Sequence, residues 1–145
     1  MELSMMKLLA ILVVLGCFVC GQAVAADQYY KKEDLKVWDR EKVGGGEGVL
    51  SGVFSFTRHE AKEDEAIKEI GWMTLLPGAS IGMHKHENNE DAYIIVSGTG
   101  VFIGDDGKEI PVKAGDITIA RKGQSHALIN NGTEPLYFLD VVAQQ

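Results

Sequence analysis

The chain is 145 residues long and has two cysteines, Cys17 and Cys20, both within its first 26 residues. Any domain downstream of them is without disulfides and must hold itself together by packing. Basic residues are scarce, with 14 Lys and Arg against 21 Asp and Glu, for a formal net charge of −7. That balance argues against nucleic acid and anionic membrane surfaces as partners. The one long apolar run, residues 8–20, is about 13 residues and too short for a comfortable membrane span. A glycine-rich stretch, GGGEG at 44–48, is not followed by Gly-Lys-Ser/Thr, which excludes a phosphate loop. The acidic turn GDDGKE at 104–109 lacks the ligand spacing of a calcium loop.

What is present at the N-terminus is a short polar start with one lysine, then the apolar run, then GQAVAA with small residues at Ala23 and Ala25. That pattern predicts a secretory signal peptide over residues 1–26, cleaved after Ala25 or Ala26, and a periplasmic or secreted protein with no membrane attachment in its mature form. Gly16-Cys17 offers a rival lipoprotein reading, although the apolar run continues past Cys17. About 119 residues remain, enough for one core and not two. They divide into an N-terminal arm and glycine-rich joint, residues 27–48, and a barrel domain, residues 49–145. The arm carries Tyr29, Tyr30 and Trp38.

Strand signals recur along the rest. Residues 49–57 alternate, a charged connection with surface His59 follows, and residues 69–76 run to the turn pair Pro77-Gly78. Further short strands are predicted at 80–86, 92–97, 100–103, 110–112, 116–120, 127–129 and 136–142, with a hairpin turn at 104–109. Many short strands, Gly and Asn turns and no long helix point to an all-β barrel or sandwich.

Three of the four histidines fall in two blocks. The first is Gly78-x5-His84-x-His86-x4-Asp91-x6-Gly98, and the second is Gly115-x5-Arg121-x-Gly123-x2-His126-x3-Asn130. Residues two apart on a strand point to the same face, so His84 and His86 face one way. A single strand cannot surround an ion, and His126 can return on a later hairpin. Imidazoles with one carboxylate suit a divalent transition metal such as Mn, Fe, Ni, Zn or Cu. The carboxylate is Asp91 if the strand Asp91-Tyr93-Ile95 faces inward; Glu90 is the alternative.

These blocks resemble the two motifs of the cupin superfamily, G-x5-H-x-H-x3,4-E-x6-G and G-x5-P-x-G-x2-H-x3-N. The resemblance covers residues 69–142. It implies a cupin-type double-stranded β-helix, or jelly-roll barrel, holding one divalent metal on His84, His86, Asp91 and His126. Two departures stand out: Arg121 replaces the second motif's proline, and Asp91 replaces the first motif's usual glutamate. Family analogy also implies a homodimer, with an arm that packs across the second subunit. A frayed terminus with a few docking aromatics is the other reading of that arm.

For chemistry, the pocket wall is drawn from Trp72, Met83, Tyr93, Phe102, Ile119, Leu128 and Phe138. Beyond the ligands, Tyr93 is a candidate for reaching the carboxylate or a bound anion, and Gln124 for a polar contact behind His126. Open positions on such an ion admit three functions: an oxygenase acting on a small chelating organic substrate, a non-catalytic binding module for a small molecule, sugar or metal chelate, and an isomerase or lyase of a small carbohydrate. No acid/base pair beyond the ligands is evident, which weakens the isomerase. A serine hydrolase is disfavoured, because Ser125 and His126 are strand neighbours facing opposite ways.

Overall fold

The computed structural model describes residues 28–144. The signal peptide expected at 1–26 lies outside the described residues. Among those described, eleven strands form: β1 (Lys36–Val37), β2 (Arg40–Glu41), β3 (Val49–Phe56), β4 (Ile67–Leu75), β5 (Ser80–Lys85), β6 (Glu90–Ser97), β7 (Thr99–Ile103), β8 (Glu109–Lys113), β9 (Ile117–Ala120), β10 (Ser125–Ile129) and β11 (Leu136–Ala143). The larger sheet runs β1-β3-β4-β11-β6-β9, with β2 also paired to β3, and the smaller runs β5-β10-β7-β8. All pairings are antiparallel. The expected all-β double-stranded β-helix is the architecture found.

Alternation of side chains across each strand explains the core. Leu50 and Phe54 of β3, Met73 and Leu75 of β4, Tyr93 and Ile95 of β6, and Leu136 and Phe138 of β11 point inward and are buried. They meet Ile81, Phe102, Val112 and Leu128 of the smaller sheet. The Phe54 ring lies against two glycines, since a Cβ on Gly52 or Gly71 would come within 2.3 or 2.6 Å of it.

Register decides where parity alone misleads. His126 pairs with His84, but Leu128 pairs with Ile81, so β5 carries one extra residue around Gly82-Met83. This bulge lets Ile81 and His84 both face inward, three residues apart, and turns Met83 outward to 48 % exposure. Met83 is therefore not pocket wall. Nor are Trp72 and Ile119, which are 38 % and 41 % exposed. Ile119 pairs with outward-facing Ala92, and Trp72 with outward-facing Leu139. Tyr93, Phe102, Leu128 and Phe138 are buried as expected.

The outer face of the larger sheet is apolar as well. One row runs Val53, Trp72, Leu139, Ile94, Ile117 across five strands, and a second runs Ile70, Val141, Ala92, Ile119 across four. Neither row contains a charge.

The N-terminal arm belongs to this sheet. β1 and β2 pair with β3 of the same chain, and Trp38 packs on Phe54 at 5.8 Å. The segment expected as a flexible joint is packed backbone to backbone against β5, with Gly44 and Gly46 close to Gly82. β4 begins at Ile67, two residues before the sequence signal, because pairing with β11 continues past a bulge to Ala143.

Phe54→Ala removes a fully buried ring from between two glycines that cannot fill the gap. We expect a loss of about 3–5 kcal/mol, read as a lower urea midpoint with an unchanged slope.

Candidate metal centre

Three strands bring the sequence-distant ligands together. β5 delivers His84 and, just beyond its end, His86; β10 delivers His126; β6 delivers Asp91. The three Nε2 atoms stand 3.0 to 3.2 Å apart. Asp91 Oδ2 lies 3.3 Å from His126 Nε2 and 3.4 Å from His86 Nε2. All four donor atoms fall within 4.8 Å of one another.

The rings are oriented from behind. His84 Nδ1 donates to the carbonyl of Gly82 at 2.9 Å, and His86 Nδ1 donates to Asn89 Oδ1 at 2.9 Å. Both Nε2 atoms therefore point at the centre, and each presents a lone pair there once it carries no proton. Lone pairs this close repel unless a proton or a metal ion lies among them. Neighbouring nitrogens about 2.1 Å from an ion are separated by about 3.0 Å in six-coordinate and about 3.4 Å in tetrahedral geometry. The observed spacings lie nearer the six-coordinate value. The donor set thus fits a divalent transition metal.

Asp91 rather than Glu90 faces this point. Asp91 is 4 % exposed, whereas Glu90 turns outward and accepts from Arg121 at 2.7 Å. Arg121, at the position of the motif's proline, also donates its backbone N–H to Gln124 Oε1, a bond proline cannot make. That bond engages the Gln124 side-chain oxygen, and the Gln124 carbonyl accepts from His86 N at 2.9 Å. Asn130 is a structural tie, its Nδ2 donating to the carbonyls of Leu75 and Glu134.

Tyr93 lies beside the centre. Its ring stacks on His126 at 4.9 Å, and its hydroxyl is 3.4 Å from His126 Nε2. Burial, with the nearby Asp91 charge, pushes its pKa well up, so it stays protonated.

Two inward carboxylates escaped the sequence reading. Asp140 on β11 is 5 % exposed, and burial and the Asp91 charge push its pKa well up, so it donates to Asp91. Glu69 on β4 is fully buried, and Arg58 donates to it at 3.2 and 3.3 Å. The signal was available. Each is an acidic residue at an inward position of an alternating apolar strand, Asp140 between Phe138 and Val142, and Glu69 in line with Met73 and Leu75. Burial opposes ionisation of Asp91, but hydrogen bonds from His126, His86 and Asp140 outweigh it and hold the carboxyl well below the usual range. Burial depresses His84, whereas at His86 the bonds to Asp91 and Asn89 outweigh burial and raise its pKa.

With this geometry in hand, comparison with known proteins is decisive. The cupin domain model matches residues 71–142. An oxalate-binding protein of Thermotoga maritima is 40 % identical over 98 residues, covering 68 % of this chain and 78 % of that protein. The chain belongs to the cupin superfamily. A solved structure from Thermotoga maritima, described as a predicted oxalate decarboxylase, is 30 % identical, with a TM-score of 0.71 over 79 % of this cupin and 97 % of that chain. A gentisate 1,2-dioxygenase of Ralstonia is 32 % identical over 83 residues, which are 57 % of this chain but 23 % of that enzyme.

Asp91→Asn is expected to weaken metal retention at least about 10-fold in a chelator competition, and Glu90→Gln to leave it nearly unchanged. Metal must displace a proton from His86, whose pKa is raised. Retention should therefore be full at alkaline pH and fall as pH is lowered through the raised His86 pKa. Titrating metal occupancy against pH checks the sign.

Proposed function

We propose that this cupin binds a small chelating carboxylate, of which oxalate is the simplest, at a divalent metal held by His84, His86, Asp91 and His126. The observation that carries the reading is the centre itself: four convergent donors, three of them buried, with the part-buried His84 on the side facing solvent. Four donors on a six-coordinate ion leave two positions, which a chelating ligand requires. The similarity to an oxalate-binding protein over most of that protein's length supports the choice of ligand. A bound ion supplies a Lewis-acidic point for the ligand's oxygens. The chain's own residues hold that point in a water-poor, apolar barrel, with the Tyr93 hydroxyl beside His126.

Binding is preferred to catalysis on the comparison, since the relative matched over most of its length is an oxalate-binding protein. Glu69 is paired with Arg58 and so is not a free base. The oxygenase reading rests on open coordination positions alone, since the matched dioxygenase is covered to less than a quarter, and nothing in the site favours the sugar isomerase.

A melting assay with Mn(II)-loaded protein and a panel of oxalate, malonate, acetate and catechol tests this. At about 100-fold over Kd, a ligand adds about 2.7 kcal/mol, which raises Tm by roughly 10 °C. We expect that rise with oxalate and not with acetate, and its loss in His126→Ala. Oxygen uptake or carbon dioxide release at catalytic turnover would replace the binding module by an enzyme.

We also propose that two chains pair through the outer face of the larger sheet. Its two uncharged rows are self-complementary, as a twofold interface requires. Strands spaced about 4.8 Å apart make the face roughly 30 Å wide, enough for the ~800 Å² per partner that a stable dimer buries. Sedimentation equilibrium should give a dimer mass for the wild type and a monomer for Leu139→Lys; a wild-type monomer rejects the pairing. Export remains the reading carried by residues 1–26 alone.

A further inference from the structure

We propose that the glycine-rich segment 42–48 is a strap that positions His84, the outermost ligand, through the main-chain carbonyl of Gly82. This rests on the metal-holding role of the four-residue group. β5 is an end strand of the smaller sheet, and the strap covers its free edge. Ser80 N donates to the Glu47 carbonyl at 2.8 Å, and Glu47 N donates to Ser80 Oγ at 2.9 Å. Lys42 N donates to the Gly48 carbonyl at 2.9 Å and closes the strap on itself. Its Val43 side chain packs on the core, so the segment is anchored to the barrel interior.

The contact is backbone on backbone. A Cβ on Gly44 would stand 2.6 Å from the Gly82 oxygen, and one on Gly82 would stand 2.3 Å from the Gly44 oxygen. Neither neighbour is a side chain that can swing aside, so glycine is needed on both sides. The wedged Gly82 oxygen is the one that accepts from His84 Nδ1 at 2.9 Å. That bond fixes the tautomer and aims Nε2 at the centre. His84 is the single ligand of the four that is not fully buried. Its ring has the least packing to hold it and depends most on that carbonyl. The strap leaves the larger sheet at β2, crosses to β5 and returns to β3, so it ties the two sheets together beside the ligand nearest solvent.

The test uses the full chain loaded with Co(II), whose visible spectrum reports ligand geometry. Gly44→Ala and Ser80→Ala are compared with Gly45→Ala, a position with equal backbone constraint (φ +77°) where a Cβ meets nothing within 4 Å. We expect Gly44→Ala to alter the spectrum and weaken Co(II) about 10-fold or more. Ser80→Ala should shift both in the same direction by less, and Gly45→Ala should match the wild type. Wild-type spectrum and affinity in both Gly44→Ala and Ser80→Ala, with only a lower Tm of the metal-free protein, would make the strap mere scaffold and overturn the proposal. Should Gly44→Ala not fold, Ser80→Ala decides alone. Equal Co(II) uptake by the wild type and His84→Ala is a different result, which removes the metal reading and this inference with it.

Discussion

Three imidazole nitrogens within 3.2 Å of one another, beside an ionised carboxylate, are the constraint on which the rest of the molecule depends. Such a cluster is unfavourable in a low-dielectric interior unless a cation lies within it. The barrel holds it by brute connectivity. His84 and His126 are opposite one another on paired strands, and Asp91 projects toward them from the facing sheet. His86 sits just past the end of β5, where backbone bonds to Gln124 and Gly123 pin it. Every ligand is therefore attached to a strand end or a tied turn, and few soft dihedrals separate it from the sheet.

Behind the ligands lies a second tier of charge. Asp140 donates to Asp91, which helps keep that carboxylate ionised, and the Tyr93 hydroxyl lies beside His126. Glu69, fully buried, is held by Arg58, and Arg40 approaches it at 3.7 Å while lying over Trp38 and Phe54. Arg58 is 44 % exposed, so its pair with Glu69 is only half desolvated and adds little net stability. The Arg58 charge lies beneath the centre, close enough to act on Asp91 and His86.

The sequence was informative wherever chemistry is tied to spacing. His84, His86 and His126 could be joined because a two-residue repeat and a second histidine block have one economical explanation, and Asp91 followed from sharing the inward parity of Tyr93 and Ile95. It was uninformative wherever side-chain type stood in for direction. Trp72, Met83 and Ile119 look like pocket wall because they are large and apolar, yet a bulge at Gly82-Met83 and the pairing of β9 with β6 turn them outward. Gln124 lies near the centre, but its side chain closes a turn made possible by Arg121 in place of proline. Asp140 and Glu69 were overlooked because an acidic residue reads as surface until its strand's inward parity is followed.

By itself, then, the sequence determined the fold class and pointed to one candidate metal site, because alternation, turn glycines and histidine spacing are local properties. Tertiary structure alone decided which apolar residues are core and which form an outer face. It also turned a run of glycines into a strap behind His84. These depend on register between strands far apart in the chain, and a one-residue bulge reverses every assignment beyond it.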